Sequence, residues 1–186
     1  MMTGTPTGEL LFFPKIRHIK VTKEDTRQKT FQVHFCPTDT EKMLEMCKSM
    51  VDEILQGHKV LFPTNNGNLY FEQITGVVQK LLDQQNFGRQ VNAFYYKKSN
   101  YGDETMDSIN IDKTIGNNDI IFCTTYLSVG VDICDKYIFA VYFNLQWIPQ
   151  DIEQFANRLR NNDLHVKMFL PKKDSDDMLI LHTMLR

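Results

Sequence analysis

Side chains suited to chemistry gather in two stretches, Asn118 to Asp135 (NDIIFCTTYLSVGVDICD) and Asp151 to Asn161 (DIEQFANRLRN). In the first, an apolar run from Ile120 to Cys123 gives way to Thr124 and Thr125, and then to Gly130 and Asp132. An unbroken apolar run bounded by polar residues predicts a strand buried on both faces of a parallel sheet. Thr124 and Thr125 then stand at its carboxyl end. In open α/β sheets ligands bind along that edge, because loops and helix N-termini converge there with free N–H groups. Gly130 allows a close backbone approach, and Asp132 sets a carboxylate two residues on. In the second stretch Pro149 and Asp151 are helix-start signals, and the helix is expected to carry Gln154, Arg158 and Arg160. Gln154 and Arg158, four apart, share one face, and Arg160 lies off it.

Two other stretches offer phosphate-binding groups. Lys59 to Pro63 predicts a buried strand, and Thr64, Asn65, Asn66, Gly67 and Asn68 follow it. Their hydroxyl and amides, with the N-terminus of the next helix, can hydrogen-bond a phosphate without reading sequence. The same residues also make a sound turn and N-cap. Gln90 to Tyr96 predicts a strand that ends in Lys97, Lys98, Ser99, Asn100 and Tyr101. Cations beside a tyrosine suit a single nucleic-acid strand through charge and stacking, although an exposed loop is the plainer reading.

The elements that must position these groups alternate along the chain. Ile16 to Val21 and Phe31 to Phe35 predict two strands of a basic β-hairpin, with six Lys/Arg between Lys15 and Lys29, placed against phosphates or simply guarding a sheet edge. Thr38 to Gln56 predicts an amphipathic helix that begins at Thr38 or Asp39, buries Met43, Leu44, Cys47, Val51 and Leu55, and stops at Gly57. Leu69 to Phe87 and Asp103 to Ile115 predict further helices, Tyr137 to Phe143 and His165 to Leu170 further strands, and Met178 to Leu185 a last helix. Trp147 is expected to pack between strand and helix. Short strands alternating with helices imply a parallel α/β sheet covered on both faces.

Composition narrows the function classes. The chain has 186 residues, 42% hydrophobic and 24% charged, with a formal charge of −2, so any nucleic-acid contact must be local rather than global. Cys36, Cys47, Cys123 and Cys134 form no CxxC pair, which suits buried reduced thiols and a cytoplasmic setting over zinc ligands or a disulfide frame. The five histidines lack metal spacing, and no metal site is expected. No apolar run nears the ~20 residues of a membrane span, so no membrane partner is expected.

At these residues the chain resembles the second RecA-like lobe of superfamily 2 helicases and translocases. CTTYLSVGVDI is similar to the family's fifth motif, EQFANRLR to the sixth (Gln-x-x-Gly-Arg-x-x-Arg), KVLFPTNNGN to the fourth, and MTGTP, Met2 to Pro6, to the third. The four stand in the family's order over nearly the whole chain. Two residues depart from the pattern: Asn157 stands where glycine is usual, and Asn161 where the last arginine is usual, with Arg160 shifted by one. That ending is closer to herpesvirus-type origin-binding helicases and some phage helicases. It leaves the arginine finger open between Arg158 and Arg160, with Arg158 preferred.

The resemblance implies a RecA-like, P-loop NTPase-type fold of three α/β/α layers with a mainly parallel sheet, preceded by the short hairpin. Residues 1–14 are expected to be the tail of a first lobe, 15–36 the hairpin or linker, and 37–186 the second lobe, truncated at both ends. It implies an ATP-dependent DNA (or, less favoured, RNA) helicase or translocase, with ATP and Mg2+ held mostly by the first lobe of the same polypeptide. The phosphate loop and acid box of that lobe are absent from this sequence, so the chain alone is expected to be inactive. Arg158 or Arg160 would reach the γ-phosphate. Gln154, Gly130 and Asp132 would sense nucleotide, and Thr124, Thr125, Thr64, Asn65, Asn66, Lys97 and Lys98 would hold the nucleic acid. Two other readings stay open: a non-catalytic RecA-like binding module, and the motor subunit of a restriction or repair complex.

Overall fold

Apolar runs too short to be helices become the strands of one sheet, and the 3.6-periodic segments between them become the helices that cover it. A computed structural model describes residues 29–64, 67–97, 103–124, 127, 131–144, 149–159 and 163–171. In chain order these form β1 (Lys29–Cys36), α1 (Asp39–Leu55), β2 (Lys59–Pro63), α2 (Gly67–Asp83), β3 (Ala93–Tyr96), α3 (Glu104–Asp107), β4 (Ile120–Cys123), β5 (Ile138–Phe143), α4 (Pro149–Asn157) and β6 (Leu164–Pro171). A π-helical turn, Ser108–Asp112, continues α3. The strands lie in the order β1-β6-β5-β2-β4-β3, and every neighbouring pair is parallel.

Two clusters fill the faces of this sheet. On one, Met46, Met50, Ile74 and Val78 of α1 and α2 pack on Phe62, Phe122 and Tyr142. On the other, Met106, Ile109, Phe155 and Ala156 from α3, its π-helical turn and α4 pack on Ile121, Val141, Phe143 and Val166. Strands buried on both faces need apolar side chains at every position, which is why Ile120–Cys123 shows no polar alternation. The result is the three-layer α/β fold expected.

Local signals set the helix limits. Thr38 Oγ1 accepts from Glu41 N–H at 3.1 Å, capping α1, a contact worth about 1 kcal/mol. The helix closes on Gly57 at φ +80°, with His58 N–H bonded to Glu53 O and Gly57 N–H to Ile54 O, the paired pattern that satisfies its last carbonyls. Its buried stripe runs through Met46, Cys47, Met50, Val51 and Ile54, whereas Leu44 and Leu55, expected inside, are exposed. The helix is rolled so that Met46 and Met50, not the leucines, enter the cluster on this face of the sheet.

Phe31–Phe35 lies in β1, which is paired in parallel with β6 from Lys29↔Leu164 to Cys36↔Pro171 and stands at the edge of the sheet among the described residues. Ile16–Val21, the other strand of the expected hairpin, lies outside the described residues. Two further expectations are corrected. The helix expected over Asp103–Ile115 is one α turn followed by a π turn, which Lys113 ends at φ 62°. Cys36, Cys47 and Cys123 are buried as expected, but Cys134 is exposed. Residues 1–14, Trp147 and Met178–Leu185 also fall outside the described residues, and none of the described helices is long and apolar enough to cross a membrane.

Candidate functional site

Register brings the residues at the strand ends together. Pro63 pairs with Cys123, Cys123 with Tyr96, and Leu61 with Val141. Carried on, these registers set Lys97, Thr124, Thr64 and Asn144 in one row across the carboxyl edge of the four strands β3, β4, β2 and β5. Thr64 is buried, and its N–H bonds to Cys123 O at 2.8 Å, so this part of the row is held by the sheet itself. Thr124 is half-buried and its carbonyl accepts from Leu127 N–H at 3.1 Å. The Lys97 ammonium lies 5.0 Å from the Tyr95 ring centre, a cation over an aromatic face at the end of the row.

Asn144 was not singled out from sequence. It is 1% exposed, and neither its Oδ1 nor its Nδ2 has a hydrogen-bond partner among the described residues. A buried amide left so costs about 1–3 kcal/mol. Its signal was present in the sequence: it is the first polar residue after the apolar run of β5, as Thr64 and Thr124 are after β2 and β4.

A second junction joins the Gly-x-Asp segment to the arginine segment. Ile133 and Leu159 form a parallel bridge, with Ile133 N–H bonded to Arg158 O at 2.8 Å. Arg158 Nη1 lies 3.4 Å from Asp132 Oδ1, and the two side chains are 34% and 38% exposed. Arg158 is not on the helix that was expected to carry it: α4 ends at Asn157, and Arg158 N–H turns back to Phe155 O at 3.0 Å. Gln154 stays on α4, half-buried. Lys29 Nζ donates to Asn157 Oδ1, so the side chain that stands at the usual glycine ties the end of α4 to β1.

Of the expected site residues, Asn65, Asn66, Lys98, Thr125, Gly130 and Arg160 lie outside the described residues. A groove of about 850 Å³ lies away from the carboxyl edge, between Ala93 and Asn117 and the α3 turn. Glu104, Asp107 and Asp112 line it, and their charge disfavours phosphate. Among the described residues no group of three or more His, Cys, Asp or Glu is placed to hold a metal ion.

No known family profile matches the sequence, and no curated protein matches it. Solved structures do match in shape. Mycobacterium smegmatis helicase Lhr, bound to ssDNA and AMP-PNP, aligns over 81% of this chain and 20% of its own, with TM-score 0.55 and 16% identity. RecG bound to a three-way DNA junction aligns over 87% of this chain and 21% of its own, with TM-score 0.56 and 14% identity. The C-terminal part of the Fun30 ATPase domain aligns over 78% of this chain and 45% of its own, at 0.50 and 15%. The chain thus spans from a fifth to under half of these proteins' lengths, and at such identities the likeness is one of fold. The fold is that of a RecA-like helicase lobe.

Proposed function

We propose that this chain is the second RecA-like lobe of an ATP-driven, superfamily 2 nucleic-acid helicase or translocase. The observation that carries the reading is the junction of Ile133 with Leu159, which sets Asp132 beside Arg158. Spaced sequence motifs could arise on an ordinary α/β domain, but the meeting of the fifth-motif and sixth-motif segments needs the fold to bring residues 26 apart into contact. The half-exposed guanidinium suits a phosphate, because arginine offers a planar fork of donors and a charge that never titrates. ATP, with Mg2+ held by the first lobe, supplies the phosphoryl group to be transferred.

In this reading Arg158, with Arg160 as the other candidate, places positive charge where the γ-phosphate gathers negative charge, and Gln154 and the Gly130-x-Asp132 turn report its presence. Lys97 and Thr124, with Lys98, Thr125, Asn65 and Asn66 next to the row in sequence, hold the nucleic-acid backbone through charge and neutral donors. Thr64, expected from sequence to share that role, is fully buried and anchors the row from beneath. DNA is favoured over RNA. The bond from Ile133 N–H to Arg158 O ties the segment that follows Thr124 in the chain to the arginine segment, so that closing the cleft shifts the grip on the strand.

The test joins the chain to its first lobe and measures ATP turnover with and without single-stranded DNA. Arg158→Ala is expected to lower the DNA-stimulated turnover about 10³-fold, with little change in ATP affinity. Equal loss of affinity and turnover would mark Arg158 as structural. A second reading, a non-catalytic binding module, draws on Asn157, whose engagement with Lys29 gives the sixth-motif position a structural task. DNA binding without any stimulated turnover would favour it.

A further inference from the structure

The groove of about 850 Å³ lies at the amino edge of the sheet, where β3 and β4 begin side by side at Ala93 and Ile120. The chain leading into those two strands lines one part of it, and α3 with its π-helical turn lines the rest. Asn92 Nδ2 donates to Asn117 O at 3.2 Å, and Asn92 O accepts from Asp119 N–H at 2.7 Å, so the two strand entries are tied and the groove is preformed. Glu104, Asp107 and Asp112 supply it with three exposed carboxylates, and no Lys or Arg among the described residues lines it. Among those residues no ion pair or side-chain hydrogen bond takes up any of the three. The cations next to the groove in sequence are committed elsewhere: Lys113 Nζ donates to Asn110 O, and Arg89 forks onto both carboxylate oxygens of Asp119. The π turn also holds Ile111 73% exposed, more than any other large apolar side chain described, while Met106 and Ile109 beside it are buried in the core. Such turns are rare and gather at functional sites.

We propose that this groove docks an extended, lysine- or arginine-bearing segment of a partner protein, one apolar side chain of which covers Ile111. Charge complementarity selects the occupant. Three carboxylates repel phosphate, which excludes nucleotide and nucleic acid, and a wholly apolar peptide would take them out of water with nothing in return. They are not placed to share a metal ion, and a bare cation would leave Ile111 in water. A lysine or arginine satisfies both features, because its methylene stem lies on apolar surface while its charged head stays among the carboxylates. The groove is at the opposite edge of the sheet from the row of Lys97, Thr124 and Thr64, so partner and nucleic acid can be held together. This surface does not depend on the role given to Arg158.

The test titrates a labelled heptapeptide, with a central leucine, two lysines on either side and serine ends, into the chain. Binding is followed by fluorescence anisotropy and by amide NMR shifts. Saturable binding is expected, with shifts in residues 104–112 and at Asn117 and none at Thr124 or Arg158. Ile111→Ser is expected to weaken it about tenfold, the loss that uncovering one apolar side chain supplies. Glu104→Gln combined with Asp112→Asn is expected to weaken it about 3–10-fold through two exposed pairs, and to flatten the fall in affinity from low to high salt. The three substituted side chains are exposed, so the unfolding midpoint of each variant is expected to match that of wild type. Absence of saturable binding, shifts confined to other surfaces, or an affinity indifferent to both variants would each overturn the proposal. If spermine binds as tightly as the peptide, and Ile111→Ser weakens neither, the groove attracts any cation and is no docking site.

Discussion

Replacing Glu53 by glutamine is the sharpest probe of how α1 is fastened to the sheet. Glu53 is buried, its Oε1 2.8 Å from Lys167 Nζ on β6 and its Oε2 2.7 Å from His58 Nδ1. Lys167 also donates to Ser49 Oγ at 2.9 Å and to Tyr142 OH at 3.4 Å. Removing one member of a buried pair costs about 3–5 kcal/mol when the surviving charge is left uncompensated. Here Lys167 keeps two neutral acceptors and a little solvent, so the expected loss for Glu53→Gln is about 2 kcal/mol. For a chain of this length that is a fall of about 4–8 °C in Tm. Denaturant unfolding at pH 7 measures it, with the midpoint moving and the slope unchanged.

Acid should reveal the same pair. Burial pushes the Glu53 carboxyl up, but hydrogen bonds from Lys167 and His58 outweigh it and hold the group below its ordinary 4.5. A depressed carboxylate contributes stability that is complete above the unfolded value and disappears as pH falls through the folded one. The gap between wild type and Glu53→Gln should therefore stay open above pH 4.5 and close below it. Removing both charges, as Glu53→Met with Lys167→Met, should cost less than the two single changes together. A Glu53→Gln protein as stable as wild type, or strictly additive losses, would refute the reasoning.

The remaining predictions concern thiols and the buried amide. Burial pushes the Cys47 thiol up to about 12 and the fully enclosed Cys123 thiol up as well, whereas Cys134 is exposed. A thiol reagent at pH 8 should therefore modify Cys134 quickly and Cys47 and Cys123 only after denaturant is added; rapid reaction of Cys47 in the native chain would contradict the packing of α1. Asn144→Leu should stabilise the chain by about 1 kcal/mol, since it removes a buried amide with no partner among the described residues and roughly keeps the volume. A loss of stability of that size, measured by the same unfolding curves, would mean that the amide is bonded in solution.

The central strands were legible because burial on both faces removes every polar residue from a run. Ile120–Cys123 and Lys59–Pro63 were read with the limits the structure gives them. The edge was less legible. Phe31 and Phe35 alternate with polar residues, as an antiparallel hairpin strand would, because an edge strand has one poorly covered face. Nothing local distinguishes a partner next door from one at the far end of the chain. The start signals at Pro149 and Asp151 predict a helix that carries Arg158, but the helix ends one residue earlier, where the chain turns to bridge Ile133. Asn144 escaped notice for a different reason: its meaning lies in register with Thr64 and Thr124, and register is a property of pairing, not of any one run.

The pairing of β1 with β6 also has a consequence during synthesis. At about 5–20 residues per second, roughly 130 residues must still be made after β1 before its neighbour exists, a wait of about 7–25 s. Through that interval β1 lacks β6, its one strand partner among the described residues, and it carries Phe31 and Phe35, which remain 53% and 40% exposed even in the finished fold. An apolar strand waiting for its partner is what chaperones hold and what aggregates recruit. The nascent chain should thus be at its most vulnerable just before Leu164–Pro171 leaves the ribosome, and folding yield should respond to the translation speed of that last stretch more than to any change in the core.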